Sequence, residues 1–174
     1  MFGMIKHDEL LQKHFIFAGT FEMSERASPF MRNRPRDISA ENWKMECGES
    51  HDVRVPKNID PCPDAAVYCW VARADATVTG TIKYVGKAGK GVRKRHGQHQ
   101  NGFTGSSAGL KNARLLRAAF RDGYQVELWF RKATKAEVFG LGVTLQSVEE
   151  EALIEHLQPE WNVNGCRKFD GTLL

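Results

Sequence analysis

The sequence predicts an α+β protein, a small three-stranded mixed sheet flanked by helices, carrying an N-terminal extension. Two runs rich in β-branched and aromatic residues, Ala66 to Ala72 and Thr81 to Val85, flank a polar, turn-forming stretch and read as a β-hairpin. Two helical patterns follow. Tyr124 to Phe130 then alternates strictly, as a half-buried strand should. A last helical pattern, Ser147 to Leu157, stops ahead of Pro159, which gives the order β-β-α-α-β-α.

Upstream of the hairpin the signals are weaker. Ile5 to His14 is a short amphipathic pattern and Phe15-Ile16-Phe17 is apolar, while a polar stretch carries Arg32, Arg34 and Arg36 around Pro35. Pro56, Pro61 and Pro63 push the residues before them toward extended backbone, so residues 1–63 read as an arm and residues 64–174 as the core. Within that core Gly86 marks a turn, and Gly91 to Gln100 reads as a helix carrying Arg93, Lys94, Arg95, His96 and His99. Asn101 to Gly109 reads as a Gly/Ser loop. Leu110 to Arg121 places Leu116, Ala119 and Phe120 on one helical face, with Lys111, Arg114, Arg117 and Arg121 largely elsewhere.

At 174 residues and 41% hydrophobic content, the chain can bury one sizeable core, so one domain with an extension is expected. No run approaches the roughly 18 apolar residues that cross a bilayer, and the first residues lack a signal-peptide pattern, so a cytoplasmic protein with no membrane contact is expected. Cys47, Cys62, Cys69 and Cys166 form no CxxC pair, and reduced thiols are the expectation. Charge is distributed unevenly. Residues 83–135 hold thirteen of the 25 Lys/Arg but only Asp122 and Glu127 of the 21 acidic residues, leaving 12 basic and 19 acidic elsewhere. A local balance of +11 against −7 points to a polyanion partner, since Lys and Arg bind nucleic acid by neutralising phosphates.

The chemistry-bearing residues fall in a fixed order: Ala66-Val67-Tyr68, Tyr84-Val85-Gly86-Lys87, Arg95-x-x-x-His99, Glu150-x-x-Leu153-Ile154 and Pro159-x-x-Asn162. Together they resemble the GIY-YIG nuclease superfamily, with Ala-Val-Tyr and Tyr-Val-Gly in place of its two signatures. The resemblance spans residues 68–162 and does not extend to the first 60. It implies a metal-dependent endonuclease that hydrolyses phosphodiesters in double-stranded DNA, with one Mg2+ (or Mn2+) per active site held by Glu150. Tyr68 and Tyr84 are then expected to face the scissile phosphate, with Arg95 bracing it and His99 and Asn162 in support.

The residue types suit those roles. Surrounding cations favour a tyrosinate base, the arginine fork binds two phosphate oxygens, and a single hard carboxylate suits Mg2+. Alternatives stay open in the sequence. Arg93 rivals Arg95, and Glu149 rivals Glu150 in register. Ser147-x-x-Glu150 also fits a capping box, and Asn162 an ordinary turn. His96 and His99 lack a nearby Cys or carboxylate and read as hydrogen-bonding residues instead of zinc ligands. Gly86-Lys87-Ala88-Gly89-Lys90 lacks the spacing and the Ser/Thr of a Walker A loop, so no nucleotide cofactor is expected.

Lys87, Lys90, Arg93, Lys94, Lys111 and Arg114 are the expected phosphate contacts, and Arg32 and Arg34 the candidate base readers. The core with a short arm is similar to small type II restriction endonucleases, which points to a homodimer. A phage-type or homing endonuclease is the alternative. A catalytically inert DNA-binding protein on the same fold is the rival from another class.

Overall fold

The computed structural model describes residues 7–27, 39, 51–75, 77–103 and 107–162. Arg32, Arg34, Cys47 and Cys166 lie outside the described residues. Helix α1 (His7–His14) leads into strands β1 (Ile16–Thr20), β2 (Glu22–Ala27) and β3 (His51–Arg54). The hairpin β4 (Ala66–Arg73) and β5 (Thr81–Ala88) is followed by helices α2 (Val92–Gly102) and α3 (Ser107–Arg121) and strand β6 (Gln125–Lys132). A second hairpin, β7 (Lys135–Val138) and β8 (Leu141–Thr144), precedes helix α4 (Gln146–Leu157). Among the described residues no helix is long and apolar enough to cross a membrane.

The main sheet has four strands in the order β1-β6-β4-β5, all paired antiparallel, which corrects the expected three-stranded mixed sheet twice. Strands β5 and β6 do run the same way across the α2-α3 connection, but β4 lies between them, so no parallel neighbours arise. The fourth strand comes from the stretch that reads as an arm. Phe17 in β1 pairs with Trp129 and sets its ring at a tilt against it, centroids 5.4 Å apart, joining residues 16–20 to the sheet. Two smaller sheets, β2-β3 and β7-β8, also escape the sequence reading.

Strand β4 is buried from Ala66 to Ala72 because both of its faces are covered. Tyr68 and Trp70 face Phe103, Ala113 and Leu116 of the α2-α3 side, and Val67, Cys69 and Val71 face Leu11, Phe15 and partly Leu153 and Ile154. Burying each large apolar side chain contributes about 1.5–3 kcal/mol, so this strand anchors both layers. In β5 the register slips: Tyr84 lies opposite Trp70 but Ile82 lies opposite Val71. The extra residue lets Ile82 and Val85 share one face while Tyr84 turns to the other.

The outer edge of β5 is closed by the residues after α4. Trp161 donates its backbone N–H to Lys83 O at 2.8 Å, and the Asn162 amide pairs with both backbone groups of Val85, at 2.8 and 2.7 Å. Helix α4 itself starts at Gln146 with Leu145 as its cap residue and no side-chain cap, so Ser147 lies inside the helix. The capping-box reading of Glu150 is thereby corrected.

Gly86 lies within β5, opposite Tyr68, and the turn follows at Gly89 and Lys90. Its lack of a side chain provides room for a ring instead of freedom for a turn. A Cβ there would sit 2.5 Å from Cζ and 2.9 Å from Cε2 of Tyr68. Gly86→Ala should therefore destabilise the protein by about 1–3 kcal/mol, the range for overpacking a filled core. Chemical denaturation checks this, and an unchanged midpoint would contradict it.

Candidate active site

Tyr68 is fully buried, and its hydroxyl exchanges a 2.7 Å hydrogen bond with His99 Nε2. Burial pushes this phenol well above its ordinary range, with Tyr84 adding to the rise and Arg95 opposing it. Tyr84 is half-buried, 6.1 Å from the Tyr68 ring and 4.6 Å from that of Trp70, and its phenol is also raised by burial. The expectation that both phenols face the phosphate is corrected for Tyr68, which does not reach the surface, and in both phenols desolvation outweighs the pull of the cations.

The histidines belong to the same buried set. Trp70 Nε1 donates to His96 Nε2 at 3.1 Å, and an indole has no acceptor, so His96 carries its proton on Nδ1 and gives it to Val92 O at 3.0 Å. Both ring nitrogens are used. Burial lowers the His96 ring to about 4 and the His99 ring to about 3, with His99 depressed further by His96 and Arg95. Among the described residues no group of three or more His, Cys, Asp or Glu side chains could hold a metal.

Arg95 projects from α2 toward these rings, and its Nε is buried without a hydrogen-bond partner. Burial opposes its charge, but Tyr68, Tyr84 and Glu150 outweigh that effect and hold the guanidinium charged. Arg93, the rival position, is exposed on the same helix. Beside Arg95 opens a cleft of about 300 Å3 lined by Lys87, Lys90, Lys94, Gln98 and the two glycines Gly89 and Gly91. Gly91 holds φ +85 with Cys62 O packed against its α-carbon, so a side chain there would collide with backbone. Lys111 and Arg114 lie on α3 outside this lining, and Arg114 is exposed.

Adjacent glutamates on α4 occupy different places. Glu149 Oε1 accepts from Thr134 Oγ1 at 2.5 Å and from its backbone N–H at 3.2 Å, and pairs with Arg131 at 3.2 Å. Glu150 instead turns to β5, where Lys87 Nζ meets its Oε2 at 2.8 Å, and its field reaches Tyr84 and Arg95. The structure thus brings Tyr84, Arg95, Lys87 and Glu150 together, with Tyr68, His99 and Asn162 behind them. Sequence reasoning missed Gln98 in the cleft and Gln100, whose amide pairs with Val55 N at 2.9 Å and Val53 O at 2.6 Å, joining α2 to β3. Glutamine on a polar helix face carries no sequence signal of either role.

The two depressed histidines make stability depend on pH. A group held neutral in the fold contributes full stability above its unfolded value near ~6.5, and that stability is lost as pH falls toward the folded values. Unfolding free energy should therefore drop between pH 6.5 and about 4, by up to about 1.4 kcal/mol per pH unit for each ring. His99→Asn should flatten that slope in chemical denaturation at a series of pH values, and an unchanged slope would count against the neutral pair.

No protein-family model matches the sequence, and no curated protein matches it either. Among solved structures, a point mutant of bacteriophage T4 EndoII matches with a TM-score of 0.57 at 15% identity, over 91% of this chain and 100% of the phage protein. At that identity the likeness is one of fold, extending from the β4-β5 hairpin to nearly the whole chain. The chain thus shares its fold with bacteriophage T4 EndoII.

Proposed function

We propose that the protein is a Mg2+-dependent (or Mn2+-dependent) DNA endonuclease that hydrolyses phosphodiester bonds. The observation that carries this reading is the buried, unpartnered Nε of Arg95 beside a cation-lined cleft, next to Tyr84 and Glu150. A phosphate oxygen in the cleft offers Arg95 a stronger acceptor than the 3.4 Å contact of its Nη1 with Gln98 Oε1, and the surrounding lysines match the flanking phosphates. The shared architecture of phage EndoII supports it.

Glu150 fits a hard cation of this kind. With no group of three or more His, Cys, Asp or Glu side chains among the described residues, one carboxylate would hold an ion that keeps most of its waters, which is how Mg2+ prefers to bind. Such an ion, when bound, stabilises charge on the departing oxygen. The chain's own groups do the rest. Arg95 braces the phosphate as negative charge gathers in the transition state, and the protonated Tyr84 phenol donates a hydrogen bond to an oxygen of the same group. Tyr68 and His99 fix the position of Arg95 and Tyr84 from behind. Asn162 sets β5, and with it Tyr84 and Lys87.

The finer reading is a site-specific type II restriction endonuclease, acting in the cytoplasm as a homodimer because a duplex presents two strands to cut. In that role the arm's arginines, Arg32 and Arg34, read base edges. A phage-type endonuclease is the second reading, favoured by the coverage of both chains in the EndoII match. Nicking of supercoiled plasmid in Mg2+, abolished by EDTA, separates both from an inert DNA-binding protein.

Glu150→Gln should leave the protein folded and able to bind DNA and reduce cleavage by orders of magnitude, because the charge that anchors the ion is removed. Glu149→Gln should still cut but lose about 1–2 kcal/mol of stability with its bonds to Thr134 and Arg131. The reverse pattern in plasmid nicking would move the metal site to Glu149.

DNA affinity should fall steeply as salt rises, with Lys90→Gln and Lys94→Gln each lowering the slope by about 1 and acting alike on all sequences. Binding titrations across salt concentrations test this. An affinity indifferent to salt would remove the cleft as a phosphate path.

A further inference from the structure

Lys87 faces two ways. Its position in β5, opposite Val67, directs the ammonium toward α4, where it meets Glu150 Oε2 at 2.8 Å, yet the same side chain lines the cleft with Lys90, Lys94 and Arg95. The two partners differ in freedom. The Glu150 side chain is 16% exposed and held on a helix, whereas that of Lys87 is 43% exposed on a flexible four-carbon stem. Lys87 can therefore leave its partner at little cost, while Glu150 cannot follow.

One oxygen of the carboxylate is thus occupied by a cation belonging to the chain. Any divalent ion that uses Glu150 must displace Lys87 or share the carboxylate with an ammonium held 2.8 Å from its Oε2, and either lowers its affinity. A phosphate entering the cleft changes the balance, because it offers Lys87 a second anion on the side that lysine already lines. Whatever draws Lys87 into the cleft also frees Glu150.

We propose that Lys87 couples the two ligands of the site: without DNA it occupies Glu150 and weakens divalent-ion binding, and a DNA phosphate draws it away so that ion and DNA bind cooperatively. This rests on the assignment of Glu150 as the metal-holding carboxylate. Linkage requires the effect to be mutual, so the ion must strengthen DNA binding by the same factor. Couplings of this type commonly amount to about 5–150-fold. For an exposed lysine, the lower end, about tenfold, is expected.

The test is calorimetric titration of Ca2+ into the full chain, alone and with a short DNA duplex, for wild type, Lys87→Met, Lys87→Arg and Glu150→Gln. Thermal unfolding of each variant confirms that it is folded. Wild type should bind Ca2+ about tenfold more tightly with DNA than without. Lys87→Met should bind Ca2+ tightly in both cases, and Lys87→Arg should behave like wild type because it keeps the ion pair. If Glu150→Gln loses Ca2+ binding but Lys87→Met matches wild type without DNA, the coupling is overturned and the metal site stands. If Glu150→Gln binds Ca2+ as wild type does, the assignment of the metal site falls and the coupling with it.

Discussion

A phenol lies where no water reaches it, in a strand covered on both faces, and the groups of the candidate site are arranged around satisfying it. An unpaired hydroxyl in such a place costs about 1–3 kcal/mol, so Tyr68 requires a partner, and His99 provides one. That bond fixes the rotation of α2 about its axis. His96 comes to rest on Trp70, and Arg95 is turned to the rim, where its guanidinium meets Tyr84 and the cleft. The ring needs room as well as a partner. Gly86, opposite it in β5, leaves that room, and so the glycine and the tyrosine of the two signatures form one steric unit.

The far face of the sheet is held by charge. Arg73, at the end of β4, reaches Asp8 of α1 at 2.9 Å, Glu127 of β6 at 3.1 Å and Val78 O at 2.6 Å, joining the first helix to the sheet. Its hydrogen bond to Asp8 is the main reason that carboxyl titrates below its usual range. On α4 a one-residue step separates a scaffold from a reactive group. Glu149 fastens the helix to the loop after β6 through Thr134, and Glu150, about 100° further around the helix, turns toward β5. Neither could exchange places without rotating α4 off the apolar layer formed by Leu153 and Ile154.

Much of this was legible in the sequence where periodicity or order carried it. Strand β6 alternates, the β4-β5 hairpin is rich in aromatic and β-branched residues, and α3 presents an apolar face, though Arg117, expected away from that face, is buried; all three form close to where they read. Strands β1, β2, β3, β7 and β8 are four to six residues long and largely exposed or half-exposed where described, so composition gives no contrast to find them by. The β7-β8 turn places Phe139 at φ 54 before Gly140 at φ 75, and a phenylalanine in that conformation is not a signal that turn rules supply. The order of motifs named Tyr84, Arg95 and Glu150, which the fold brings near one another, and the difference in burial between Arg95 and Arg93 is not visible in the sequence. The burial that raises both phenols was not legible, because the sequence shows the cations near a phenol but not the depth at which it lies.

The attachment of Asn162 to Val85 has a further consequence. An outermost strand normally offers a row of free backbone groups to any other extended chain, and this is how sheets grow into one another. Here a side-chain amide answers both the N–H and the carbonyl of Val85, and Trp161 takes the carbonyl of Lys83, so that row is already filled from within. A foreign strand cannot register along this stretch without first stripping those residues away. Any other chain must therefore approach over other surfaces, away from this edge of β5.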